Sequence, residues 1–161
     1  MPDGSALGPR AERPAAGQRA RGLGRVLIAL YGVFALAAGA RAAVQLSTRF
    51  EQAPLAYLLS ALAAAVYLVA TVALARGGRG GLRTAAAAIL FELAGVLGIG
   101  TLSLARPDAF PDETVWSQYG SGYLFVPLAL PLIGLVWLRA RTRAERPPGG
   151  AAAGPSGRRA K

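Results

Sequence analysis

The 161-residue chain contains neither cysteine nor histidine. The first absence excludes disulfides, thiol catalysis, iron–sulfur clusters and thiolate zinc sites. The second removes the commonest general base, the commonest metal ligand and a haem-ligating imidazole. Acidic residues are scarce, 8 against 18 basic, for a formal net charge of +10. Asp108, Asp112 and Glu113 lie close together, but their spacing is not that of an EF-hand calcium loop. No catalytic constellation, cofactor or metal site is therefore expected. The positive charge does not point to nucleic acid either, because it lies in tails and short loops with no folded polar segment to carry a basic groove.

What the chain does have is apolar residues, 53% of the total, gathered in long blocks with the charges between them. The blocks run over residues 26–46, 54–75, 84–105 and 120–138. Each is near the length of about 20 residues that a helix needs to cross the hydrocarbon. A barrel would need many shorter alternating segments. The expected fold class is an all-α membrane protein, an antiparallel bundle of four transmembrane helices spanning residues 26–138. A basic, disordered tail is expected over 1–25 and a second, mostly disordered with a short helical extension, over 139–161.

Orientation follows from arginine and lysine. The leading tail, the loop "RGGRGGLR" and the trailing tail hold 15 of the 18 basic residues. Four spans place all three on one face, so both termini are expected in the cytoplasm of a multi-pass inner (plasma) membrane protein. The triplet Ala40-Arg41-Ala42 fits a signal-peptidase site, but the long leading tail favours retention of the first block.

Glu92 stands alone in "AILFELAGVLGIG". An ionised carboxylate in hydrocarbon costs about 2.5–3.5 kcal/mol on insertion scales. It therefore faces other helices, pairs, or stays protonated. Ala85, Ala88 and Gly95 make a small-residue face beside it, suited to close helix approach. Depth at 1.5 Å per residue places the Tyr67 hydroxyl level with it, whereas Arg41 lies nearer the outer side and snorkels outward. Glu92, Tyr67 and Arg41 are thus the candidate intramembrane proton or cation site. A helix-packing contact is the competing role for Glu92.

Pro127 and Pro131, four apart, are expected to kink the fourth span. Small residues recur at Ala35, Gly39 and Ala43, and at Ala94 and Gly98. Phe110, Trp116, Tyr119 and Tyr123 suit an outer interface belt, and Tyr31 and Trp137 an inner one. The Asp-Glu pair before "TVWSQYG" reads as the start of a short interfacial helix stopped at Gly120. Partners expected are the bilayer itself, anionic lipid at the basic tails, and a second copy or another membrane protein.

The order of four spans and the segment "TVWSQYGSGYLFVPLALPLIGLVWL" resemble small integral membrane proteins of actinobacteria, streptomycetes in particular. The Ala-, Gly- and Arg-rich bias with a single Lys suits such high-GC genomes. That resemblance implies a four-span membrane protein and no particular activity. Small multidrug transporters share four spans and an embedded Glu. Theirs lies in the first span, whereas Glu92 lies in the third, so this likeness is one of analogy. The functional expectation is a structural or accessory membrane subunit, with a small proton- or cation-coupled transporter built on Glu92 as the alternative.

Overall fold

The computed structural model describes residues 14–144. Residues 1–13 and 145–161, with Arg10, Arg13, Arg146, Arg158, Arg159 and Lys161 of the expected tails, lie outside the described residues. Among the described residues the fold is wholly helical: α1 (Pro14–Thr48), α2 (Pro54–Arg76), α3 (Gly78–Ala105) and α4 (Val126–Ala144), with short 3₁₀ turns between them. Helices α2, α3 and the stretch Arg21–Thr48 of α1 are each long and apolar enough to cross a membrane, and the bent pair Ser117–Tyr123 and Val126–Arg143 makes a fourth candidate if counted as one.

Two boundaries depart from the sequence reading for local reasons. Helix α1 begins at Pro14, inside the tail expected to be disordered. Ala, Gln and Arg there are good helix formers, and proline is favoured in a first turn. Helix α3 begins at Gly78, so the expected loop at 76–83 shrinks to Gly77. Gly77 and Gly78 take φ of +62° and +66°, which glycine adopts without strain. Gly81 then packs onto the end of α2, where a Cβ would stand 2.7 Å from the Ala73 carbonyl oxygen.

Each helix buries one stripe at a spacing of three and four: Leu27, Tyr31, Ala38 and Ala42 on α1; Ser60, Ala63, Tyr67, Ala70 and Leu74 on α2; Ala85, Ile89, Glu92 and Val96 on α3; Leu130, Trp137 and Leu138 on α4. Helix α1 packs on α2, α2 on α3 and α3 on α4, and α4 returns to touch α1. Large apolar side chains point outward all round, including Leu36, Leu68, Leu90, Leu104 and Val136. An apolar outer surface on this scale is compatible with a surface that faces lipid.

The fourth apolar block is not one continuous span. The helix axis turns by 100° between Ser117–Tyr123 and α4. Leu124 and Phe125 sit at the turn with φ of +55° and +57°. The bend expected at Pro127 therefore falls before it. Phe125 accepts from the amides of Leu128 and Ala129, which puts Pro127 in the first turn of α4, where its missing N–H costs no helical bond. Pro131 is the proline inside the helix.

The expected interfacial helix is replaced by a tighter device. Thr114 Oγ1 accepts from the Ser117 amide and Ser117 Oγ from the Thr114 amide, both at 2.9 Å. Gln118, Tyr119 and Gly120 then follow with φ of +50°, +60° and +80°. This folds the segment back against α3, where Gln118 N–H donates to Ser103 Oγ at 2.9 Å. Irregular backbone leaves polar groups without helical partners, and Ser103 satisfies one of them here.

A buried carboxyl among aromatic rings: the candidate functional site

Glu92 stands at the middle of α3 and is fully buried. Ala88, Ile89 and Val96, one turn away on either side, are buried with it. The small-residue face that carries it inward was legible from the sequence. Its hydrogen-bond partner was not. Tyr31 Oη of α1 donates to Glu92 Oε2 at 2.7 Å. Tyr31 is the central residue of α1, because that helix starts twelve residues before the apolar block does. Measured from Val26 it reads as a belt residue; measured from Pro14 it reaches the centre.

Tyr67, the expected partner, lies next to this bond without joining it. Its ring is tilted against Tyr31 at 6.1 Å and edge-on to Phe34 at 5.8 Å. Its hydroxyl is near the Glu92 carboxyl and the Trp116 indole N–H. Among the described residues neither the Tyr67 hydroxyl, nor Trp116 Nε1, nor Glu92 Oε1 closes a hydrogen bond, and all three atoms are buried. An orphaned buried polar group costs about 1–3 kcal/mol, and the Trp116 indole N–H is the donor placed to reach the Tyr67 hydroxyl.

Trp116 reaches the cluster from outside the regular helices. Read as an interface aromatic, it is instead 2% exposed, with its ring laid over Gly95. A Cβ at Gly95 would come within 2.7 Å of it. Gly95 lies ten residues before the end of α3, about 15 Å down the helix axis. Tyr119 follows one notch higher, its Cδ1 at 2.6 Å from a Cβ built on Gly100. Gly134 of α4 completes the enclosure, since a Cβ there would stand 3.0 Å from Ile89 Cδ1 and 3.7 Å from Tyr31 Oη. The stripe Ala94 and Gly98 expected to pack faces outward. The notch that packs is Gly95.

Arg41 is not part of this cluster. It is exposed and donates to the Tyr123 hydroxyl and, at 3.3 Å, to the Glu113 carbonyl oxygen. Its guanidinium stands 5.9 Å from the centre of the Tyr123 ring. Two further bonds hold the folded-back segment: Tyr57 of α2 donates to Asp112 Oδ2 at 2.5 Å, and the Thr101 and Tyr119 hydroxyls meet at 2.9 Å. Helices α1, α2 and α3 thus each tether residues 112–123 through polar side chains: Arg41, Tyr57, and Thr101 with Ser103. Trp137, the other residue assigned to a belt, is buried against Gly24 of α1 and lies 5.3 Å under the Arg141 guanidinium.

Comparison with known proteins yields no matching family model, no matching curated protein and no matching solved structure.

Proposed function

We propose that this chain is a multi-pass protein of the bacterial plasma membrane, an antiparallel four-helix bundle with both termini in the cytoplasm. Its role is association: a structural or accessory subunit of a membrane assembly. The observation that carries this reading is the closure of Glu92, fully buried and bound by Tyr31 from the neighbouring α1. A carboxyl held in this way acts as a clamp between helices, and interhelical hydrogen bonds serve that purpose in membranes. The basic segments at 21–25, 76–83 and 139–143 support the orientation by the positive-inside rule. Kinship with small actinobacterial membrane proteins rests on the Ala, Gly and Arg bias and the segment from Thr114 to Leu138.

A second reading, a proton- or cation-coupled carrier, is favoured by one specific observation. The orphaned Glu92 Oε1, Tyr67 hydroxyl and Trp116 N–H gather beside a broken span. Broken helices at the midplane form binding sites in many transporters. Treatment of the membrane-embedded protein with a hydrophobic carbodiimide across a pH series separates the two. Mass spectrometry then quantifies adducts on Glu92, with Glu92→Gln as the blank. The clamp reading expects no adduct at any pH. An adduct whose yield titrates with pH overturns it in favour of the carrier.

A further inference from the structure

A groove of about 350 Å³ opens between α3 and α4 at the basic end of the molecule. Arg79 and Arg83, one turn apart on α3, form one wall, and Arg139 of α4 faces them. Like charges one turn apart repel by about 0.2–0.5 kcal/mol. Among the described residues none of the three guanidinium groups makes an ion pair or hydrogen bond, and no acidic residue lines the groove. Below them the lining is apolar: Leu82 and Leu138 make a buried floor, and Leu90 and Leu135 continue it along the helices. From Arg79 to Leu90 the helix rises about 16 Å. One leaflet of a hydrocarbon core about 30 Å thick is close to that depth.

We infer that this groove binds one anionic phospholipid, its phosphate in the Arg79–Arg83–Arg139 fork and an acyl chain along Leu82, Leu90 and Leu135. Guanidinium forks match phosphate oxygens in geometry and charge. A free anion needs the fork and has no use for the apolar trough that continues from it. A partner helix would fill the trough and leave three cations without counter-charge. The groove between α2 and α3, lined by Leu68, Val72, Gly80 and Gly81 with Arg76 as its cation, lacks this combination. The inference rests on the membrane-spanning reading and is independent of whether Glu92 clamps or titrates.

The test uses the full chain purified in a neutral detergent, mixed with phosphatidylglycerol or phosphatidylcholine, and read by native mass spectrometry. Wild type is expected to retain one phosphatidylglycerol at least tenfold better than phosphatidylcholine. Arg79→Gln/Arg83→Gln/Arg139→Gln is expected to lose that preference. Arg21→Gln/Arg25→Gln/Arg76→Gln, with the same charge change outside the groove, is expected to keep it. Leu90→Trp, which leaves every charge in place and blocks the trough, is expected to weaken retention several-fold. Equal loss in both triple variants would overturn the proposal, leaving diffuse attraction. So would displacement of the lipid by millimolar inorganic phosphate, or indifference to Leu90→Trp. Carbonate extraction of the same variants checks the membrane reading separately: a chain released by carbonate refutes the span, whatever the lipid result.

Discussion

Replacing Gly95 by alanine sets a methyl carbon 2.7, 2.8 and 2.9 Å from Cζ3, Cε3 and Cη2 of Trp116. Unstrained carbon contacts lie at about 3.5–4.0 Å, so ring or helix must give by nearly an ångström. Overpacking of this kind costs about 1–3 kcal/mol. Alanine also gains about 1 kcal/mol over glycine in a helix interior. Gly98, three residues on, supplies the reference, because a Cβ there meets nothing within 4 Å. Gly98→Ala collects the helix gain alone and is expected to stabilise by about 1 kcal/mol. The difference between the two variants isolates the clash and should be about 1–3 kcal/mol. Equilibrium unfolding in mixed micelles, where a denaturing detergent is titrated against a mild one, measures both. Trp116→Leu in the Gly95→Ala background removes the clashing ring and should recover most of the loss. If Gly95→Ala and Gly98→Ala stabilise alike, Trp116 does not lie on Gly95, and the folded-back segment is wrong.

Three further outcomes follow from particular contacts. Leu124, at φ +55° and 87% exposed, holds a left-handed conformation that costs an L-residue about 1–2 kcal/mol, so Leu124→Gly should stabilise the same unfolding transition or leave it unchanged; a loss above 1 kcal/mol would refute the left-handed turn. Tyr57→Phe and Asp112→Ala remove opposite ends of one hydrogen bond, and their double variant should lose less than the two losses added, with a coupling of about 1 kcal/mol. Thr114→Val removes the acceptor for the Trp116 and Ser117 amides together, so it should destabilise by about 1–3 kcal/mol and raise hydrogen exchange at both amides.

Much of the helical layout was readable because bilayer thickness imposes a length that apolar blocks reveal. Helix α2 follows its block almost residue for residue, and α3 ends at the expected Ala105. The starts of α1 and α3 were missed for opposite reasons. The polar residues after Pro14 continue a helix that hydropathy does not see, and "RGGRGGLR" supplies glycines that permit a one-residue turn where composition suggests a loop. Depth counted from Val26 puts Tyr31 at an interface, whereas depth counted on α2 and α3 brings Tyr67 beside Glu92, where it stands next to the bond that Tyr31 makes. Trp116 reads as a belt residue because it stands in the mixed-polarity stretch "DETVWSQYG" that follows the third apolar block. Two signals pointed the other way: the Thr-x-x-Ser pair at Thr114 and Ser117, which closes a reciprocal cap, and Gly95 one turn from Glu92, a notch with no other occupant. The bend in the fourth apolar block has no clear signature in hydropathy, since Leu124 and Phe125 at the turn are themselves apolar.

The helix that supplies the partner of Glu92 decides whether α1 and α3 are clamped together, and a double-mutant cycle measures that directly. Tyr31→Phe, Glu92→Met and their combination isolate the Tyr31–Glu92 term in the micellar unfolding assay. A parallel cycle with Tyr67→Phe serves as reference. Interhelical hydrogen bonds in membranes couple by about 0.5–2 kcal/mol, and that value is expected for Tyr31. For Tyr67, whose hydroxyl closes no bond among the described residues, coupling near zero is expected. A Tyr67 coupling that exceeds the Tyr31 coupling would contradict the account, returning Glu92 to α2 and removing the clamp between α1 and α3.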